Sequence, residues 1–173
     1  MKVLIACVGN IFLGDDGFGV EVAQSLGKRQ LPAGVSVKDY GIRGFDLAYA
    51  LLDPWDLVII ADALSRGEAA GTLYVIEPEL NGPASADTAL NPHGMDPVRV
   101  LSLAASMGTI AAQVLVVGCE PHDFGDELEG RMGLSSPIQG VVEAASDMIL
   151  DLVASRASES RQANAVQLQI VER

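Results

Sequence analysis

Basic residues are scarce in this chain: 11 lysines and arginines face 23 acids, for a formal charge of −12. That balance excludes a nucleic-acid surface and disfavours an anionic membrane, since both need clustered cations. The excess acid either keeps the protein in solution or attracts a cationic or metal-bearing partner. Cysteine is nearly absent. Cys7 sits in an apolar run and Cys119 near a strand end, which makes no disulfide framework and points to a cytoplasmic protein. Long apolar runs are missing too: residues 3–8 and 57–61 are far shorter than the roughly 20 residues that span a bilayer. The opening Met1-Lys2-Val3-Leu4-Ile5-Ala6-Cys7 meets Gly9-Asn10 and then two acids, without the apolar length or cleavage site of a signal peptide.

Two further absences concern nucleotides and nucleophiles. Gly9 and Gly14 bracket four residues as in a phosphate loop, but Asp15 and Asp16 stand where its lysine belongs. The G-x-G-x-x-G spacing of a dinucleotide loop is also missing. Two carboxylates repel phosphate and attract cations, so this turn reads as a metal site. No G-x-S-x-G elbow occurs, and Gly133-Leu134-Ser135-Ser136-Pro137 looks like a helix entry.

The 173 residues, 49% apolar and 20% charged, are enough to bury a full core. No internal repeat or long linker interrupts them, so one domain over 1–154 is expected. Residues 3–8 form a continuous apolar run, as in a strand buried on both faces. A helix follows over about 17–29, then a strand through Val35 and Val37 ending near Asp39. A short helix over 46–52 stops before Pro54, and the strand 57–61 ends on Asp62. Strand 72–76 follows too closely for a helical crossover, so it is expected to run antiparallel. Asp96-Pro97 caps a helix ending near Gly108; residues 113–117 form the fifth strand. Ser136-Pro137 opens the last helix, with Ile138, Val141, Ala145, Met148, Ile149 and Leu152 as its core stripe. The pattern predicts a three-layer α/β/α sandwich with a mostly parallel five-stranded sheet. Residues 155–173 read as a loose polar tail, with 166–171 as a possible edge strand.

Ligands of open α/β sheets bind at the carboxyl ends of strands, where the strand order reverses. Asp15, Asp16, Asp39, Asp62 and Glu120 all fall at such ends. The two histidines, His93 in Pro92-His93-Gly94 and His122 in Glu120-Pro121-His122-Asp123, both lie in loops. Two carboxylates with one imidazole make a site with open positions, suited to a borderline ion such as nickel or zinc. Cys7 should be buried and inert, and Cys119 packed at a strand end.

Taken together, the blocks Gly9-Asn10, Asp15-Asp16-Gly17-Phe18-Gly19, Asp39-Tyr40-Gly41-Ile42-Arg43-Gly44, Asp62-Ala63, Pro92-His93-Gly94, Gly118-Cys119-Glu120-Pro121 and Gly133-Leu134-Ser135 resemble those of the hydrogenase maturation proteases. The resemblance covers residues 1 to about 154. It implies the family's α/β fold with a twisted five-stranded, phosphorylase/hydrolase-like sheet. It also implies an endopeptidase that removes the C-terminal extension from the large-subunit precursor of a nickel–iron hydrogenase after nickel insertion. By the same resemblance, Asp16, Asp62 and His93 correspond to the metal-binding residues, and Asp39 assists catalysis or substrate docking. Nickel arrives in the substrate and serves as the recognition signal; other divalent ions such as zinc can occupy the site. Asp39 and Glu120 are candidate bases. The alternatives are a nickel-dependent precursor chaperone or sensor that does not cut, and a nucleoside phosphorylase-like enzyme. The latter needs a basic phosphate site, for which only Arg43, Arg66 and Arg99 are near.

Overall fold

A computed structural model describes residues 1–79, 96–125 and 129–171, with the backbone alone over 163–171. Five strands form one sheet in the order β2-β1-β3-β5-β4. These are β1 (Val3–Val8), β2 (Val35–Gly41), β3 (Leu57–Ala63), β4 (Leu73–Ile76) and β5 (Gln113–Cys119). β1 pairs in parallel with β2 on one side and β3 on the other, Val3 lying opposite both Val35 and Leu57. β3 pairs in parallel with β5, whereas β4 runs antiparallel to β5, as its short link from β3 requires. β1 and β3 are buried at every residue, which is why residues 3–8 and 57–61 read as unbroken apolar runs.

Alternate residues feed two cores. Val3, Ile5, Cys7, Ile59, Leu115 and Val117 face helix α1 (Phe18–Gly27) and the C-terminal helices α4 (Ser136–Gln139) and α5 (Val142–Val171). Leu4, Ala6, Val8, Ile60, Val114 and Val116 face α2 (Gly44–Ala50) and α3 (Pro97–Met107). The result is the expected sandwich of three layers. α1 and α5 are clamped by Arg29, which donates to Glu143 at 2.6 Å and Asp147 at 2.5 Å. Behind that pair, Ser25 donates to Glu143 and Ser146 to Ser25.

Boundaries differ from expectation where capping decides them. The first helix is preceded by a 3-10 turn over Gly14–Gly17, and the last breaks into α4 and α5 around Gly140-Val141. The loose tail expected from Ser155 onward is instead the continuation of α5 to Val171, and no edge strand forms there. The reason is local: no glycine or proline occurs after Gly140, and alanine, glutamine, glutamate and arginine are good helix formers. Among the described residues, no helix is long and apolar enough to cross a membrane.

Candidate functional site

The connections of β1 and β3 leave the sheet on opposite faces, so the strand order switches between them. The carboxyl ends of these two strands open the crevice where ligands of this architecture bind. Asp16 is in the 3-10 turn after β1, half-buried, with its Oδ2 accepting from Asn10 N at 2.7 Å. The turn is tight because Gly9 takes φ 140°, where an added Cβ would fall 1.9 Å from the Asp16 carbonyl oxygen. Only glycine fits there.

Asp62 lies one residue from the end of β3, on the face toward α3, and is buried. The hydrogen bond that its carboxylate receives comes from Ala63 N, at 2.8 Å. Burial first, and then the neighbouring Asp16 charge, push its pKa well above the ordinary carboxylate range, with a lesser push from Asp96. Asp16 and Asp62 therefore share one electrostatic environment, in which the buried Asp62 carboxyl favours its protonated form or a neighbouring cation. Asp96 was legible only as a helix cap; it does cap α3, accepting from Val98 N at 2.9 Å. Its position beside the end of β3 follows from the packing of α3, which sequence spacing does not reveal.

Asp39 stands apart from this pair. It lies two residues before the end of β2, opposite Cys7 of β1, is exposed, and accepts on its Oδ1 from Gly41 N at 2.7 Å. Gly41 closes that turn at φ 52°, while Gly44 is helical and starts α2. Arg43, one of the arginines near enough to serve a phosphate site, instead folds onto its own loop and donates to the carbonyls of Asp39 and Tyr40. His93 lies outside the described residues. Among those described, no three histidine, cysteine, aspartate or glutamate side chains converge as a metal cage, so a three-ligand set built on Asp16 and Asp62 needs a further donor.

Two acids expected near the chemistry are structural. Asp15 is fully buried and accepts from Ser135 N at 2.6 Å, Ser135 Oγ at 2.9 Å, and the amides of His122 and Asp123 at 2.9 Å. Burial raises its pKa, yet these donors outweigh burial and hold it below the ordinary value. It staples the first loop to the segment before α4. Glu120, a candidate base, accepts from Arg66 N at 2.8 Å, Gly67 N at 3.1 Å, Ser65 Oγ and Tyr74 Oη. Despite burial, those donors also lower its pKa. A carboxylate so fully engaged is a poor base at neutral pH. The thiols fit no nucleophilic role either: burial pushes Cys119 up to about 12 and Cys7 higher still.

A family model described as hydrogenase maturation protease matches residues 20–152. The chain belongs to that family. Hydrogenase 2 maturation protease of Escherichia coli strain K12 is 32% identical over 152 residues, covering 87% of this chain and 89% of its own length. Hydrogenase expression/formation protein HupD of Rhizobium leguminosarum bv. viciae is 30% identical over 156 residues, covering 89% and 75%. Among solved structures, the hydrogenase maturating endopeptidase HybD from E. coli superposes with a TM-score of 0.72 at 27% identity, covering 90% of this chain and 94% of that one. As a hydrogenase maturation protease the chain is a peptidase, and its phosphorylase-like alternative falls: Arg66 lies over the Tyr74 ring and Arg43 is spent on its own loop.

Proposed function

We propose that this protease removes the C-terminal extension from the large-subunit precursor of a nickel–iron hydrogenase once nickel has been inserted. In this reading the substrate's nickel is the recognition signal, received by Asp16, Asp62 and His93. The observation that carries the proposal is Asp62: it is a buried carboxyl beside a second acid, and among the described residues the one hydrogen bond to it comes from its own neighbour, which leaves it short of a cation. Oxygen donors with one imidazole suit nickel, and zinc fits the same set.

The residues divide the work. Asn10 N fixes the Asp16 carboxylate, and β3 holds Asp62 rigidly at its end, so both are preorganised for an incoming cation. When present, the ion supplies a Lewis acid for the scissile carbonyl. Asp39, exposed at the next strand end, orients the peptide or the attacking water. With Glu120 and both thiols engaged or protonated, the described residues include no self-sufficient nucleophile, which accounts for a protease that spares unfolded proteins.

The test is incubation of nickel-loaded and nickel-free precursor with the purified chain, followed by intact mass measurement. Loss of a C-terminal peptide from the nickel-loaded form alone is expected. An unchanged mass in both, or rapid nickel-insensitive digestion of casein, would overturn the proposal.

A further inference from the structure

Large exposed apolar side chains are normally scattered singly over a protein surface. Here they gather around the acidic crevice. Ile11 and Phe12 follow β1, Ile42 and Phe45 follow β2, and Met132 lies beside Arg131; Phe12 is 58%, Ile42 64%, Phe45 70% and Met132 71% exposed. Met132 joins Phe12 because Arg131 N donates to Phe12 O at 2.7 Å and Leu13 bridges Arg131. Ile42 joins them across the strand ends, where Gly9 N donates to Gly41 O at 3.0 Å.

These loops are held, not slack. Phe12 N donates to Asn10 Oδ1 and Leu13 N to Asn10 O, both at 3.0 Å. Arg43 and Asp39 bind their own loop from both ends, fixing the stretch that displays Ile42. Ordered backbone that projects apolar side chains into water gains nothing in the free protein; a partner that covers them gains their burial.

We infer that Phe12 with Met132 and Ile42 with Phe45 form two apolar banks that dock an extended peptide segment of the protease's substrate. The segment carries bulky apolar side chains on either side of the position facing Asp16. Charge selects this occupant. Asp16 is held by Asn10 N, next to the Gly9–Gly41 bond that joins the loops carrying the banks; Arg43 is turned to its own carbonyls, and Arg131 is paired with Asp123 at 2.7 Å. The surface thus offers apolar contact around an anionic centre, with its nearby cations engaged, so an acidic segment is repelled and a neutral or cationic one accepted. This inference rests on the proposed precursor as substrate and names how it is held.

Binding and cleavage are measured separately so that the two readings can fail independently. Nickel-loaded precursor is titrated by calorimetry with the parent chain and with Phe12→Ser/Met132→Ser, Ile42→Ser/Phe45→Ser, and the control Val75→Ser/Met107→Ser, whose exposed apolar residues lie elsewhere. Each bank variant should bind at least about tenfold more weakly, by the loss of two buried side chains, while the control binds as the parent does. Circular dichroism confirms that the surface changes leave the fold intact. Bank variants that bind within twofold of the parent overturn the inference even if the parent cuts. A parent that binds but does not cut overturns the proposed function while leaving the banks supported by their weakened binding. A parent that does not bind overturns the inference. So does a dimer of the free parent in light scattering that the bank variants abolish, because the banks would then hold a second copy.

Discussion

Asp15 and Asp62 are both buried carboxyls at the carboxyl edge of the same sheet, yet they are held in opposite ways. Among the described residues, Asp15 receives four hydrogen bonds and has its pKa lowered; Asp62 receives one, stands beside Asp16 and has its pKa raised. The first environment is built for an anion and the second favours a neutral carboxyl. Acid at a strand end is therefore no signature by itself: the number of donors facing it separates a staple from a ligand.

The largest effect should fall on catalysis. Asp62→Asn keeps the shape, removes the charge, and should slow precursor cleavage by about a thousandfold or more, the scale of losing a key electrostatic group. Cleavage within tenfold of the parent would erase the contrast. Next in size is Asp15→Ala, which strands three backbone amides and a hydroxyl inside the protein. Urea unfolding should show a loss of roughly 3–5 kcal/mol, and a loss under 1 kcal/mol would mean that the staple is dispensable.

The comparison sharpens with pH. Asp62 has its folded pKa raised, so its contribution is fully present below the unfolded value of about 3.9 and is lost as pH rises through the folded value. Asp62→Asn should consequently melt above the parent at pH 7, by about 2–4 °C for each kcal/mol relieved, with the two curves meeting on acidification. Asp15 has the opposite sign: its stabilisation is present above about pH 3.9 and fades as pH falls through its lowered folded value. An Asp62→Asn variant less stable than the parent at pH 7 would contradict the assignment. The smallest effect is assigned to exposed Asp39. Asp39→Asn should slow cleavage by about tenfold, the worth of an aligned charge outside the Asp16–Asp62 pair, with no change in melting. Wild-type turnover would leave Asp39 with its turn alone.

Much of this was legible from residue order. The unbroken apolar runs of β1 and β3, the short link into β4 and the Asp96-Pro97 cap each have a local cause, and each element formed where that cause placed it. Strand-end logic gathered Asp16 and Asp62 together with Asp15, Asp39 and Glu120, and only the resemblance singled out those two. What was hidden depended on partners distant in sequence. Asp15 looked like Asp16 because its donors come from Ser135 and the 122–123 turn. Glu120 looked like a base because Arg66, Gly67 and Tyr74 reach it only after β4 pairs with β5. Arg43 looked free because its fold-back onto Asp39 and Tyr40 is a matter of loop conformation. The helical tail was misjudged for another reason: its polarity argued against burial, and helix propensity does not need burial.

The strand order also bears on how the chain is made. β4 leaves the ribosome before β5, but its only sheet partner is β5, which must slip between it and β3. Until that happens, one whole flank of β3, apolar over residues 57–61, stands open to any other extended chain. Nascent protein thus passes through an adhesive interval that ends only when residues 113–119 emerge, and hydrogenase assembly inherits that delay. A fragment ending at residue 112 should sediment with aggregates when expressed; a soluble, monomeric fragment would show that β3 is shielded in some other way.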